Sequence, residues 1–295
     1  MYKCDTKLAV IFPTAFFLAD FVRVWTNAAP VWTIQMRIVR PKKALGQHFL
    51  KDLGIAEAIA DTVDCCATLP ILEIGPGTGV LTQFLLAKGR RFKAVELDRD
   101  SVAFLKTNFT QLGDGLVEGD FLKLDLRELF GGSEFVLTGN YPYNISSQIF
   151  FKMLDNRDLI PCCTGMLQRE VAQRICAAPG CRAYGILSVL LQVWYDAEYL
   201  FQVRPDVFDP PPKVFSAVIR LRRNGRTGLG CNPVLFKRIV KGTFNQRRKM
   251  IRNSIRSCVE ADTPLPEGIW MEKRPEQLSV QDFIDLTNLV ESCRG

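Results

Sequence analysis

Histidine is almost missing from this 295-residue sequence: His48 is the only one. That excludes a Ser-His-Asp site built around any other histidine and argues against a zinc site, so no metal is expected. No Cys-x-x-Cys pair occurs among ten cysteines. The two adjacent doublets, Cys65-Cys66 and Cys162-Cys163, read as reduced, buried thiols of a cytosolic protein. Long apolar runs are also missing. Leu8 to Ala19 is apolar apart from Thr14, but it is too short to span a bilayer and is interrupted by Pro13 and Asp20, so no membrane association is expected. Acidic residues are absent from Pro210 to Val259, a span that holds thirteen Lys and Arg residues. A solvated helix face mixes charge signs, whereas so long a run of one sign reads as a surface for phosphate.

The most informative stretch is residues 71–79, ILEIGPGTG. A buried strand enters a tight turn with glycine at positions 75, 77 and 79 and then a helix over about 79–88. Glycine at such a turn takes φ > 0 and lets a ligand touch backbone. A second strand, residues 92–97, carries Glu96, 21 positions after Gly75. That distance suits one strand–helix–strand unit and puts a carboxylate where a ribose presents two hydroxyls. The dinucleotide fingerprint needs a last glycine where this chain has Val80. G-x-G-x-G with a ribose acid suits S-adenosylmethionine at least as well.

The length allows one large domain, or one plus a small one. Residues 1–35 differ in composition from the rest. They are expected to be a non-native or mis-assigned extension, with the mature chain beginning at Met36; a signal peptide cut near Ala29 and a genuine extension are the other readings. From Met36 the chain reads as a basic arm, residues 37–50, then a helix over about 53–64. Further strands are predicted at 116–119, 135–139 and 163–168, and two closing strands at 199–204 and 215–221. Helices are predicted near 100–109, 146–154 (with Ser146 as N-cap), 170–177 and 184–195. Strands alternating with helices mean a parallel sheet with ligands at the strands' C-terminal ends. Gly75, Glu96, Asp120 and Asn140 all fall at such ends. After a glycine-rich linker, 223–231, helices are predicted over 233–243, 245–258 and 279–292. The fold class is therefore α/β, a Rossmann-like sheet over residues 36–222 with a small C-terminal helical domain at 232–295.

Asn140-Tyr141-Pro142-Tyr143 is the second informative stretch. The exocyclic amine of adenine is a poor nucleophile because its lone pair is delocalised into the ring. Acceptors for its N–H groups, such as the Asn140 amide oxygen and a following backbone carbonyl, stabilise the positive charge that develops. Pro142 stiffens the turn that aims them, and the Tyr143 ring offers a face for an unstacked base.

The segments RPKKALGQHFL, EIGPGTG, VELDRD, NYPYNIS, LQREVAQR, VFDPPPKVFSAVIRL and TFNQRRKMIRNS resemble those of the KsgA-type ribosomal RNA adenine dimethyltransferases, over about residues 37–290. The resemblance implies an enzyme that dimethylates N6 of two adjacent adenines in a hairpin loop near the 3′ end of small-subunit (16S) rRNA, using S-adenosylmethionine. It implies contacts to the cofactor from His48, Leu50, Gly75, Gly77, Glu96, Asp120 and Asn140. Asn140 would also touch the target, which Tyr143 and Phe208 would sandwich. Arg247, Arg248, Lys249 and Arg252 would bind RNA; Arg248, Arg252 and Arg256 recur at helical spacing and are expected to share a stripe. The family often has Asn at the place of His48, and Leu or Ile at that of Tyr141. The implied partners are small-subunit rRNA and the immature small subunit, met by a cytoplasmic monomer. Two alternatives remain: an erythromycin-resistance type methyltransferase acting on large-subunit RNA, and an RNA-binding assembly factor whose methyl transfer is secondary.

Overall fold

A computed structural model describes the backbone of residues 19–26 and 29–36 and, in full, residues 39–260, 264–265 and 267–293. The apolar stretch read at Leu8 to Ala19 lies, but for its last residue, outside the described residues. The first described elements are two antiparallel strands, β1 (Ala19–Thr26) and β2 (Ala29–Met36). A short strand β3 (Phe49–Leu50) then leads into α1 (Leu53–Asp61), whose N-cap Asp52 accepts from the Ile55 N–H. The core unit is β4 (Ile71–Ile74), α2 (Thr82–Ala87), β5 (Phe92–Glu96), α3 (Arg99–Asn108), β6 (Leu116–Glu118), α4 (Leu126–Leu129), β7 (Val136–Thr138), α5 (Ser146–Asp155) and β8 (Cys162–Gln168). There follow α6 (Arg169–Ile175), α7 (Ile186–Gln192), β9 (Tyr195–Val203), β10 (Phe208–Asp209) and β11 (Ser216–Arg223). The chain ends with α8 (Pro233–Asn245), α9 (Ile251–Ser254) and α10 (Val280–Ser292).

The main sheet has seven strands in the order β6-β5-β4-β7-β8-β11-β9. The first five are mutually parallel, and β11 runs antiparallel to both β8 and β9. Strand β4 is buried at every position, as expected of a strand covered on both faces. The chain order reverses between β4 and β7, and open α/β sheets bind ligands at such a point. Gly75 and Asn140, which follow these two strands, flank it.

Several elements differ from the sequence reading. Helix α2 begins at Thr82, three residues later than the glycine turn suggested, and spans only six residues. Ile145, not Ser146, is the N-cap of α5; the Ser146 hydroxyl instead donates to the Pro142 carbonyl at 3.0 Å. The helix predicted over 184–195 stops at Gln192, because the chain is recruited from Tyr195 to pair with β11. The helix predicted over 245–258 does not form as one. The N–H groups of Ile251 and Arg252 donate to the carbonyls of Lys273 and Met271, so residues 246–250 turn outside any helix. Arg248, Arg252 and Arg256 therefore share no single helical stripe. One hydrophobic cluster runs from sheet residues such as Leu137 and Ile219 to Phe236, Phe244 and Phe283 of the C-terminal helices. No helix among the described residues is long and apolar enough to cross a membrane.

The pairing of β7 with β8 continues beyond the end of β7. The Met166 N–H donates to the Gly139 carbonyl at 2.9 Å and the Tyr141 N–H to the Met166 carbonyl at 2.8 Å, extending the pairing past β7 to Asn140. A Cβ on Gly165, where φ is 147°, would collide with the Gly139 carbonyl and lie 2.9 Å from the Tyr141 ring. Gly165→Ala should therefore destabilise the fold by ~1–3 kcal/mol, measured as a lower urea midpoint. An unchanged midpoint would mean that this pairing is looser than described.

Candidate active site

The site is assembled from five segments. The arm contributes Leu45 to Phe49, β4 contributes Ile74, Gly75 and Gly77, and β5 contributes Val95 to Leu97. Gly119 to Leu122 follow β6, and Asn140 to Ile145 follow β7. Together they line an open cavity of about 170 Å³ at the C-terminal ends of the strands, where such sheets bind their ligands.

The glycine turn is left-handed at all three predicted positions, with φ of 66° at Gly75, 56° at Gly77 and 79° at Gly79. A side chain on Gly77 would strike the Phe49 ring at 2.8 Å, so the arm closes directly over the turn. Two hydrogen bonds tie the turn to β5: the Gly75 N–H donates to the Val95 carbonyl at 2.9 Å, and the Gly77 N–H to Glu96 Oε2 at 3.0 Å. Glu96 Oε1 also accepts from the N–H groups of Leu97 and Asp98, at 2.9 and 2.8 Å. Burial raises the pKa of this 5 % exposed carboxyl, while the three N–H donors pull it back. A carboxylate offers about four acceptor positions, so the three backbone bonds leave room for a ligand hydroxyl.

Asp120 reaches the cavity from the end of β6, its Oδ1 accepting from the Leu122 N–H at 3.0 Å and Oδ2 3.9 Å from Lys123. Asn140 donates through Nδ2 to the His48 carbonyl at 3.0 Å. That bond uses the donor end of the amide and orients Oδ1 as an acceptor. The His48 ring hydrogen-bonds the Pro210 carbonyl at 2.7 Å; a carbonyl only accepts, so Nδ1 carries the proton. His48 stacks on Tyr143 with ring centroids 5.4 Å apart, and the Tyr143 hydroxyl shares a short hydrogen bond with Ser216 Oγ. Lys42 fastens the arm from outside, pairing with Asp98 and, at 2.7 Å, with Asp100.

His48, Gly75, Gly77, Glu96, Asp120, Asn140 and Tyr143 thus line one cavity. Leu50 and Phe208 do not. They face each other across the β3–β10 pair, where their side chains are 5 % and 0 % exposed in the apolar core. His48, rather than Phe208, stacks on Tyr143. Phe49 and the wall formed by Phe121 and Leu122 escaped the sequence reading; the signal for Phe49 was its place in the arm beside His48. Tyr141 joins the lining, but its side chain is buried and its hydroxyl donates to the Thr164 carbonyl at 2.7 Å.

Of the four residues assigned to RNA, Arg248 and Lys249 are exposed in the 246–250 turn. Arg252 pairs with Glu272 at 2.5 Å, and Arg247 lies 3.8 Å from Glu276 while donating to the Cys181 carbonyl. The acids missing from residues 210–259 are thus supplied in space by the segment before α10.

A parallel sheet with a left-handed glycine turn after its central strand, an acid ending the next and Asn-Tyr-Pro-Tyr across the switch point defines a Rossmann-like, S-adenosylmethionine-dependent methyltransferase. Residues 38–292 match the family model for ribosomal RNA adenine dimethylase, and the chain belongs to that family. It is 66 % identical over 258 residues to the ribosomal RNA small subunit methyltransferase A of Phocaeicola vulgatus, covering 88 % of this chain and 92 % of that protein. The protein so named from Porphyromonas gingivalis is 58 % identical over 257 residues, covering 87 % of this chain and all of the relative. Among solved structures, a dimethyladenosine transferase from Plasmodium falciparum superposes with a TM-score of 0.70 at 25 % identity, covering 84 % of this chain and 98 % of that one. The 23S rRNA methyltransferase ErmE superposes with a TM-score of 0.60 at 25 % identity, covering 81 % and 99 %.

A second buried carboxyl lies beneath the turn. Glu73 is 1 % exposed and, among the described residues, accepts only from the Thr82 hydroxyl, at 2.8 Å. Burial, with Glu96 nearby, pushes its pKa up to about 8 against the opposing effect of the Thr82 bond. An unfolded Glu titrates near 4.3. Between these values the native state keeps a proton that the unfolded state has released. The contribution is therefore whole below the unfolded value and is lost as pH rises toward 8. Glu73→Gln cannot titrate, so its stability relative to wild type should rise with pH by up to ~1.4 kcal/mol per unit. Urea unfolding of both proteins at about pH 5 and about pH 7.5 would test this; a difference that stays flat with pH would show that Glu73 is not a buried acid.

Proposed function

We propose that this chain transfers methyl groups from S-adenosylmethionine to N6 of two adjacent adenines in a hairpin loop near the 3′ end of small-subunit (16S) rRNA. The observation that carries this is the Asn140 amide, anchored through Nδ2 to the His48 carbonyl so that Oδ1 is left to accept. The names of the relatives support the small-subunit reading over the large-subunit one.

The cofactor, when bound, supplies an electrophilic methyl on a sulfonium. This chain's residues fit it: the Gly77 turn admits backbone contact, Glu96 has an acceptor position left for ribose hydroxyls, and Asp120 Oδ2 suits the adenine amine. On the substrate side, Asn140 Oδ1 accepts from the target's N6–H and so stabilises charge as the amine attacks, and the Tyr141 carbonyl is the second acceptor. Only that carbonyl is needed, which explains how a buried Tyr substitutes for the family's usual Leu or Ile. Tyr143, braced by Ser216, offers its ring to the extruded base. The catalytic part is residues 36–222, and residues 232–295 meet RNA through the exposed cations of the 246–250 turn. The substrate is rRNA within an immature small subunit, in the cytoplasm, and the enzyme acts as a monomer.

Asn140→Ala should abolish most turnover while leaving cofactor binding measurable, because the cofactor has other contacts. Loss of one preorganised acceptor costs ~2.7–4 kcal/mol of barrier, about 10²–10³ in rate. Turnover on small-subunit RNA within tenfold of wild type would refute the role given to Asn140. Replacing Arg248 and Lys249 together with Ala should flatten the log–log salt dependence of RNA binding by roughly 1.4, about 0.7 per lost contact on single-stranded RNA. Arg252→Ala should change it less, since Glu272 already neutralises that charge. Filter binding at several salt concentrations reads both; an unchanged slope in the double variant would move the phosphate contacts elsewhere.

A further inference from the structure

Three cysteines from two distant parts of the chain meet below the sheet. The sulfurs of Cys65, Cys66 and Cys162 all lie within 4.8 Å of one another, and those of Cys65 and Cys162 are 3.1 Å apart. Cys65 and Cys66 close the turn after α1, and Cys162 opens β8. Asn140 pairs with Met166, four residues further along β8, so the cluster sits about 13 Å from the active-site end of that strand.

We propose that these three thiols form a binding site for a thiophilic d¹⁰ cation, with zinc(II) as the occupant. At a metal–sulfur distance of ~2.3 Å in tetrahedral geometry, thiolate sulfurs stand about 3.8 Å apart. The Cys65–Cys162 spacing is 0.7 Å shorter than that value and no spacing exceeds it by more than 1.0 Å, so the sulfurs converge on a cation by side-chain adjustments of about an ångström. Cys65 and Cys66 are only partly buried, which leaves the fourth position to solvent. The absence of a histidine ligand is no obstacle, because three thiolates suffice for soft metals.

The surrounding charge is a second, independent observation. Arg90 donates through Nε to the Leu69 carbonyl at 2.7 Å and through Nη1 to the Val63 carbonyl at 3.3 Å. Its Nη2 is buried and has no partner among the described residues. Its charge is shared between Asp64, whose carboxylate lies 3.8 Å from Nη1, and the three sulfurs. Arg222 lies directly opposite Cys162 in the β8–β11 register, and Arg220, which also pairs with Glu198 at 2.7 Å, opposite Thr164, so both project from the same face as the cluster. Three thiolates around a divalent cation carry a net charge of −1. Arginines would repel a bare cation, but they suit that anionic complex, and its sulfurs would give Arg90 Nη2 an acceptor. Binding is not a redox step: each coordinating thiol gives its proton to solvent as a metal–sulfur bond forms.

The test uses the full chain, reduced, stripped of metal and kept anaerobic. Cadmium(II) is the probe, followed by its thiolate-to-metal charge-transfer absorption, with zinc(II) then measured by competition against a chromophoric chelator. The expected result is one saturating equivalent, accompanied by proton release. Cys162→Ser should abolish it. Cys66→Ser, at a partly exposed position where folding is safer, should weaken it at least tenfold while leaving methyl transfer unchanged. Cys181→Ser, at an exposed cysteine outside the cluster, should bind as wild type does. The proposal is overturned if no saturable band develops, if Cys66→Ser binds as well as wild type, or if a Cys65–Cys162 disulfide forms instead of a metal complex.

Discussion

The side-by-side pairing of β7 and β8 at Gly139 and Gly165 is the constraint on which the active site depends. Neither position tolerates a Cβ, since one on Gly139 would come within 2.5 Å of the Ile74 carbonyl and one on Gly165 would meet the Gly139 carbonyl. Two bare backbones lying side by side let the ladder continue to Asn140 and Tyr141 before the chain turns at Pro142. The Asn140 amide therefore leaves a rigid sheet edge, and its direction is set by hydrogen bonds made before any ligand arrives. Preorganisation of this kind is what makes a single acceptor effective in catalysis.

The two buried glutamates show how one turn holds two carboxyls in different hydrogen-bonding surroundings. Glu96 receives three backbone N–H groups that oppose the upward push of burial on its pKa; Glu73, with one hydroxyl partner, is pushed up to about 8. Both brace the glycine turn, one from the cavity and one from below. The difference comes from the number of donors, not from depth alone.

Most of the sheet was legible because its signals are local. Glycine at alternate positions can be read from spacing, and so can an acid at a strand end and the Asn-Tyr-Pro-Tyr turn; the structure brings Gly75, Gly77, Glu96, Asp120, Asn140 and Tyr143 to one cavity. Misses came where pairing across the chain decides the outcome. Phe208 looked available to a base, but a two-residue bridge to β3 buries it beside Leu50. The continuous basic helix over 245–258 failed because carbonyls of Lys273 and Met271 take two of its N–H groups. The long acid-free run concealed that Glu272 and Glu276, beyond its end, fold back onto Arg252 and Arg247. The cysteine doublets read as reduced, buried thiols; Cys162 and Cys163 are buried but Cys65 and Cys66 only partly so, and nothing local announces that residue 162 lands beside residues 65 and 66.

The arm that roofs the cavity has almost all its partners far downstream. His48 bonds to Pro210, 162 residues away, and to Asn140, 92 residues away, while Phe49 and Leu50 pair with Asp209 and Phe208. During synthesis at ~5–20 residues per second, Pro210 is made roughly 8–30 s after His48. A nascent chain thus holds the glycine turn, Glu96 and the Lys42 anchors Asp98 and Asp100 for many seconds before the partners of His48 and Leu50 exist. The wall laid first in the chain is therefore the last to gain all of its contacts.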